Sequence, residues 1–184
     1  MGSTQIRSTG TLGGNIGTGS PVGDALCALL ALDATATVAA AGMVRDVPVA
    51  TLLGGGLAAG ELIVDVHWAL ASGPQRFLKV CRRAAVSRSV VSASVVVEAP
   101  GTVRIILGGC DAQPFRPRRA ESLAEELHDG GPFSAEAARA IGELVREEID
   151  PPSDIAGSAA YRRHAAGVLV QRALLGGHGA RAAA

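Results

Sequence analysis

The chain has 184 residues, of which 48% are apolar, and its 17 basic residues balance its 17 acidic ones. That apolar fraction suits one larger or two small globular domains with a proper core. Zero net charge and an aromatic fraction of 3% provide neither a basic field for phosphate backbones nor stacking platforms, which argues against nucleic acid as a partner.

The spacing of the cysteines and the length of the longest apolar run argue against a metal-binding protein and against a membrane-spanning one. Cys27, Cys81 and Cys110 have no spacing that suits zinc or iron–sulfur ligation, so they are predicted to be buried thiols in a reducing cytoplasm. The most apolar run, residues 25–32, stops at Asp33, well short of the ~20 residues that a membrane span needs. We expect a cytoplasmic protein with no membrane span, no metal ligands and no catalytic residues of its own.

The first predicted element of the chain is a glycine-rich segment at residues 11–21. Gly13 and Gly14 permit backbone conformations closed to other residues and let a ligand approach the N–H groups. Such a loop, followed by a helix starting near Val22, favours a phosphate or pyrophosphate ligand. The alternative is a flexible loop without a ligand.

The rest of the first region is predicted to consist of one short helix, three short strands and a loop. Residues 24–32 predict a short buried helix, and residues 35–40 and 43–49 predict a hairpin that turns at Ala41 and Gly42. Residues 51–60 are predicted to be a loop, and residues 61–68 a strand.

A domain boundary is predicted at Gly73 and Pro74. Three antiparallel strands and then three helices are expected after it, the last two helices capped by Ser134 and Ser158. This is an α+β pattern. The strands are predicted at residues 76–83, 90–98 and 102–108, and the helices at residues 119–129, 134–148 and 158–176, before a disordered tail at 178–184.

Two long motifs resemble one protein family. Residues 5–24, QIRSTGTLGGNIGTGSPVGD, are similar to the second flavin-binding motif of the FAD subunit of molybdenum hydroxylases, the xanthine dehydrogenase and carbon monoxide dehydrogenase group. Only Ser8, where the family has Asn, departs from that pattern. Residues 150–164, DPPSDIAGSAAYRRH, resemble the family's C-terminal signature. With LKVCRR at 78–83 and LGGC at 107–110, the resemblance covers nearly the whole chain.

The resemblance implies two domains. Residues 1–72 would form the second lobe of an FAD-binding domain of the PCMH/VAO-like type, and residues 73–177 a domain like the CO dehydrogenase flavoprotein C-terminal domain. The family's first FAD lobe, with its own glycine-rich turn, is absent from the printed sequence. Its absence is expected to expose the apolar side chains of Leu26, Leu29 and Leu30, or the strand at 61–68.

The resemblance also implies FAD as the cofactor and assigns residues to it. Backbone at Gly13, Gly14 and Asn15 would hold phosphate oxygens, Ile63 would pack against the isoalloxazine, and Lys79 would lie at the flavin, where a cation stabilises the reduced ring. On the residues alone, Ile63 reads as a core residue and Lys79 as a solvated cation. The family often has Asp-Ile-Ala where this chain has Ser87, Arg88 and Ser89. The full set of FAD-binding residues implied by the resemblance is Thr11, Gly13, Gly14, Asn15, Thr18, Ser20, Asp24, Ile63 and Lys79.

By the same resemblance, the chain is expected to be an oxidoreductase subunit that passes electrons from iron–sulfur clusters through FAD to NAD or another acceptor. Its partners would be an iron–sulfur small subunit, a molybdopterin large subunit and a chain that supplies the missing FAD lobe. The alternative is a non-catalytic remnant that keeps the subunit-binding surface and holds no flavin.

Overall fold

A computed structural model describes residues 3–83, 88–98 and 101–176. The described residues form two three-stranded antiparallel sheets with helices packed against them, which confirms the α+β prediction. The predicted tail at 178–184 lies outside this range. The helices are α1 (Thr4–Thr9), α2 (Leu12–Thr18), α3 (Asp24–Ala31), α4 (Val49–Gly55), α5 (Arg118–Leu127), α6 (Ala135–Glu148) and α7 (Ala159–Leu174), and the strands are β1 (Thr35–Ala40), β2 (Met43–Pro48), β3 (Leu62–His67), β4 (Gln75–Cys81), β5 (Ser89–Glu98) and β6 (Thr102–Gly108).

The first sheet has the strand order β2-β1-β3, and the predicted hairpin of β1 and β2 is confirmed. Gly42 takes a φ of 77° in its turn, a conformation that favours glycine. One face of the sheet buries Ala36 and Val38, whereas Val44 and Leu62 on the other face remain 68% and 65% exposed. The predicted exposure of the strand at 61–68 is therefore confirmed at Leu62.

The predicted loop at residues 51–60 is wrong in its first half. Residues 49–55 form helix α4, because Val49 and Leu52, one helical turn apart, are both buried in the core. The helix ends where Gly56 takes a φ of 67°. Gly54 and Gly55 have low helix propensity, but the burial of this apolar pair outweighs it.

The second sheet has the strand order β4-β5-β6, as predicted. Helices α5, α6 and α7 cover one face, where Val91, Val95 and Ile105 are buried among them. The side chains of Ser134 and Ser158 cap α6 and α7 by accepting hydrogen bonds from Ala137 N and Tyr161 N. These caps and the order of strands before helices confirm the prediction for the C-terminal region.

Helix α3 covers the other face of the second sheet. Leu26 and Cys27 pack with Val96 and Ile106 of that sheet in one core. Of the two alternatives predicted for exposed apolar surface, the one at Leu26, Leu29 and Leu30 is wrong, because these side chains are buried in that core at 0%, 4% and 9% exposure. At the far end of α3, Arg104 Nε donates to the carbonyl of Ala31 at 2.6 Å.

The three thiols differ in environment. Cys27 and Cys110 are buried as predicted, and burial raises their pKa to about 11 and about 12. Cys81 is only partly buried. At neutral pH the two buried thiols are therefore protonated and poor nucleophiles.

No helix within the described ranges is long and apolar enough to cross a membrane.

Candidate functional site

The glycine-rich segment is a helix rather than the predicted loop. Thr11 is the N-cap of α2, its Oγ1 accepting from Gly14 N at 2.9 Å, and Thr18 Oγ1 donates to the Gly14 carbonyl at 2.7 Å. Gly13 and Gly14 lie within the helix, and the left-handed residue is Gly19 at a φ of 58°. Thr11 and Thr18 are both predicted cofactor-binding residues, but in the structure their hydroxyls bond to the helix backbone.

Close packing explains why residue 13 is glycine. A Cβ at Gly13 would lie 3.3 Å from the Cβ of Ile63 on β3, tighter than ordinary van der Waals contact. The absent side chain lets α2 lie directly on that strand. The structure thus brings two predicted site residues together, and Ile63 is partly buried against the core of the first sheet.

An unsatisfied polar atom lies at this helix. Asn15 Oδ1 is buried and accepts no hydrogen bond from any described residue. It faces Gly23, where a Cβ would be only 3.3 Å away. A buried acceptor without a partner is unfavourable, so a hydroxyl or amide donor on a bound ligand would stabilise this arrangement.

A second group of predicted residues meets at the start of α3. Lys79 Nζ on β4 donates to Asp24 Oδ2, while Ser89 Oγ on β5 donates to Asp24 Oδ1 at 2.6 Å. The side chains of Asp24 and Lys79 are only 9% and 21% exposed. Lys79 is therefore a partly buried member of an ion pair, which rules out the solvated cation. We call Asp24, Lys79 and Ser89 the Asp24 cluster.

The alternation of side chains along β4 places Lys79 beside Asp24. Its neighbours Leu78 and Val80 pack into the core under α5, α6 and α7, so Lys79 points to the opposite face, where α3 begins. Sequence reasoning missed Ser89, which holds the second oxygen of Asp24. The only available signal was that this chain departs from the family's Asp-Ile-Ala at residues 87–89.

The predicted site residues thus form two neighbouring groups. Thr11, Gly13, Gly14, Asn15 and Thr18 belong to α2 with its cap, and Ile63 packs against them. The other group is the Asp24 cluster. Ser20 lies on the short link between α2 and α3, its carbonyl accepting from Gly23 N at 2.9 Å. Among the described residues there is no group of three or more His, Cys, Asp or Glu side chains that could hold a metal ion.

Comparison with known families matches both regions. Residues 76–176 match the CO dehydrogenase flavoprotein C-terminal domain, and residues 1–68 match the FAD binding domain in molybdopterin dehydrogenase. The glyceraldehyde dehydrogenase medium chain of Sulfolobus acidocaldarius is 28% identical over 94% of this chain and 63% of its own length. The nicotine 6-hydroxylase medium subunit of Paenarthrobacter nicotinovorans is 30% identical over 93% of this chain and 62% of its own.

A solved structure agrees with these matches. The carbon monoxide dehydrogenase from Hydrogenophaga pseudoflava that lacks the Mo-pyranopterin moiety contains a chain that superposes with a TM-score of 0.81 at 27% identity. The superposition covers 95% of this chain and 62% of that one. The chain therefore spans less than two thirds of the length of the relatives that it matches.

Proposed function

Because the chain belongs to the CO dehydrogenase flavoprotein family, whose relatives include medium subunits of molybdenum hydroxylases, we propose that it passes electrons through FAD to NAD or another acceptor within such a complex. The match to the FAD-binding domain supports FAD as the cofactor and an oxidoreductase subunit as the class of protein. The electron path, the acceptor and the complex of this chain belong to the proposal.

The observation that carries the proposal is the pairing of α2 with the Asp24 cluster. Gly13 lets α2 lie on Ile63, and Lys79 provides a cation held in place by Asp24. Asn15 Oδ1 is a buried acceptor that none of the described residues pairs with. These residues fit a ligand with hydrogen-bonding groups at one end and a ring that can carry negative charge at the other. FAD supplies the redox chemistry when it is bound, whereas this chain binds and orients it and sets the charge around it.

We assign roles within the site as follows. The backbone N–H of Gly13 would hold a pyrophosphate oxygen, whereas Gly14 N and Asn15 N already donate to Thr11 Oγ1 at 2.9 Å and to the Thr11 carbonyl at 3.1 Å and would act only as shared donors. The Thr11 cap and the bond from Thr18 Oγ1 to the Gly14 carbonyl would stabilise the helix that presents this backbone. Lys79 would act on the ring through its charge, with Asp24 fixing its position. Ser20 stays a proposed contact on the link between α2 and α3, and Ile63 stays a proposed contact of the ring.

The partners and the domain boundary are also proposals. Relatives named as a medium chain and a medium subunit imply companions, for which we propose an iron–sulfur small subunit and a molybdopterin large subunit. Because the relatives are longer, we propose that the other half of the pyrophosphate site comes from outside the printed sequence. We retain the boundary at residue 73, although α3 from the first region packs on the second sheet.

With only half of the pyrophosphate site, the isolated chain should have a low affinity for FAD. Titration of purified protein with FAD, monitored by quenching of flavin fluorescence, should give weak binding or none, because pyrophosphate and adenine would remain in water. A stoichiometrically yellow protein purified on its own would contradict the half-site and show that these 184 residues suffice.

A non-catalytic remnant is the second candidate, motivated by the relatives' additional length. The two candidate functions differ in which proteins and cofactors should copurify with a tagged chain from its native host. The proposed function expects an iron–sulfur protein and a molybdenum protein to be purified with the chain, in complexes that contain flavin. The remnant expects the same proteins without flavin. If neither protein copurifies with the tagged chain, both candidate functions are overturned.

A further inference from the structure

Arg162, in the first turn of α7, is buried at 3% exposure, and its guanidinium group reaches three other segments of the chain. Nη1 donates to the carbonyls of Val90 and Gly109 at 2.7 Å each, and Nη2 donates to Asp154 Oδ1 at 2.6 Å. The bond to Arg162 is the main reason why the pKa of Asp154 lies below its usual value. Burying a cation is unfavourable unless it is paired, and an apolar side chain would fill the same space without that cost. The three bonds therefore point to a role for Arg162 at this junction.

The carbonyl of Val90 belongs to a β-bulge in β5. The pairs on either side of the bulge are Val80 with Val91 and Cys81 with Ser89. Val90 is thus an extra residue that has no partner in β4, and the pairing of β5 with β6 begins only at Ser92. Arg162 therefore supplies a donor to a buried carbonyl that lies outside the regular strand pairing.

The bulge also decides which way Ser89 points. Side chains alternate along a strand, so in a regular β5 Ser89 would lie on the same face as Val91 and Val95, against α5, α6 and α7. The extra residue moves Ser89 to the opposite face, which α3 covers, and there its Oγ donates to Asp24 Oδ1 at 2.6 Å. Ser89 thus reaches Asp24 because of the bulge that Arg162 holds.

The second carbonyl bound by Arg162 leads to the start of α3. Gly109, directly after β6, takes a φ of 76°, which favours glycine. A Cβ at this residue would lie 2.4 Å from the Val90 carbonyl oxygen and 3.2 Å from Arg162 Nη1. The N–H of Gly109 donates to the carbonyl of Pro21 at 2.8 Å, just before α3 begins at Asp24. Arg162 therefore connects the bulge to the segment that leads into α3.

From these contacts we propose that Arg162 is a positioning residue for the Asp24 cluster. It fixes the bulge and the turn at Gly109, and thereby Ser89 and the start of α3. Asp24 then holds Lys79 in one place. Arg162 does this without touching the flavin, and its influence on the flavin rests on the proposed function. A residue that only stabilised the fold would leave the surroundings of Lys79 unchanged in any variant that folds.

Lys79 makes a direct test possible because it is the only lysine of the chain. A lysine amine that is partly buried in an ion pair reacts slowly with an acylating reagent. Treatment of the purified chain with acetic anhydride, followed by mass spectrometry of the peptide that contains residue 79, measures this rate without any flavin. Arg162→Gln shortens the side chain and removes its planar set of five N–H donors, so we expect Lys79 to react about tenfold faster.

Ser89→Ala tests the route by which Arg162 acts. This variant removes the hydroxyl that holds Asp24 Oδ1, so acetylation of Lys79 should also become faster. The double variant with Arg162→Gln should fall well short of the product of the two single effects, because both changes interrupt one series of contacts. Effects that multiply in full would overturn the proposal.

Arg104→Gln is the matched control. Arg104 is also buried, at 8% exposure, and Nε donates to a carbonyl of α3, but at the far end of that helix, at Ala31. This variant should unfold at a lower temperature, as Arg162→Gln should, and leave acetylation of Lys79 at the wild-type rate. If Arg162→Gln does not fold, Asp154→Asn replaces it, because that side chain is half exposed and its charge holds Arg162. Acetylation should then be faster by a smaller factor.

The same variants in the purified complex separate this inference from the proposed function. Arg162→Gln should shift the flavin potential in the same direction as Ser89→Ala. Faster acetylation with an unchanged potential would support the positioning role and count against a flavin at the Asp24 cluster. Acetylation at the wild-type rate in both Arg162→Gln and Asp154→Asn, or acetylation that is equally fast in Arg104→Gln, would overturn the positioning role.

Discussion

Gly14→Val should remove FAD from the complex purified through this chain. A Cβ at residue 14 would lie 3.1 Å from Thr11 Oγ1, the atom that caps α2, so a branched side chain would push the cap away. Its methyl groups would also cover the backbone to which we assign the pyrophosphate oxygens. Flavin released by acid from the purified complex should fall at least tenfold against the wild type.

Gly17→Ala is the matched control on the same helix. A Cβ at Gly17 meets no atom within 4 Å, and alanine favours a helix more than glycine does. Its flavin content should equal that of the wild type. Full flavin occupancy in Gly14→Val, with α2 intact by circular dichroism and thermal unfolding, would remove α2 from the proposed site.

Neutralising the two charges of the Asp24 cluster should shift the flavin potential in opposite directions. Lys79→Met removes a positive charge and should lower the potential, because the reduced cofactor carries more negative charge. Asp24→Asn removes a negative charge and should raise it. Each effect is on the order of 1–3 kcal/mol for charges in a partly buried site, roughly 20–65 mV for two electrons. Potentiometric titration followed by flavin absorbance measures both.

Arg139→Gln is the control for a general charge effect, since Arg139 is exposed on α6 on the far side of the second sheet. Its potential should match the wild type. Shifts of the same sign in Lys79→Met and Asp24→Asn would indicate altered structure rather than local charge. No shift in either variant would place the flavin away from the Asp24 cluster, and the assignment of Lys79 would be withdrawn.

Strand and helix periodicity predicted the C-terminal region well. In the sequence, Pro100 and Gly101 indicate the turn between β5 and β6, and Ser134 and Ser158 are typical N-caps of the helices that follow them. The same reasoning failed for α2 and α4, where glycine content suggested loops. In both cases tertiary contacts stabilise a helix despite the glycines. In α2, Gly13 allows contact with Ile63, and in α4, Val49 and Leu52 are buried.

The site was predictable only in part. The resemblance implies that Asp24 and Lys79 each contact the cofactor, but it does not indicate that they form an ion pair with each other. That pairing depends on α3 lying across the second sheet, a long-range packing that local patterns do not encode. Ser89 escaped prediction for the same reason, because its partner Asp24 is 65 residues away in sequence.

We propose that this chain holds FAD within a molybdenum hydroxylase complex. The most direct test is the ratio of flavin to iron, molybdenum and tagged chain in the complex isolated from the native host. We expect close to one FAD per copy of the chain, together with iron and molybdenum. Iron and molybdenum without flavin would contradict it and favour the remnant.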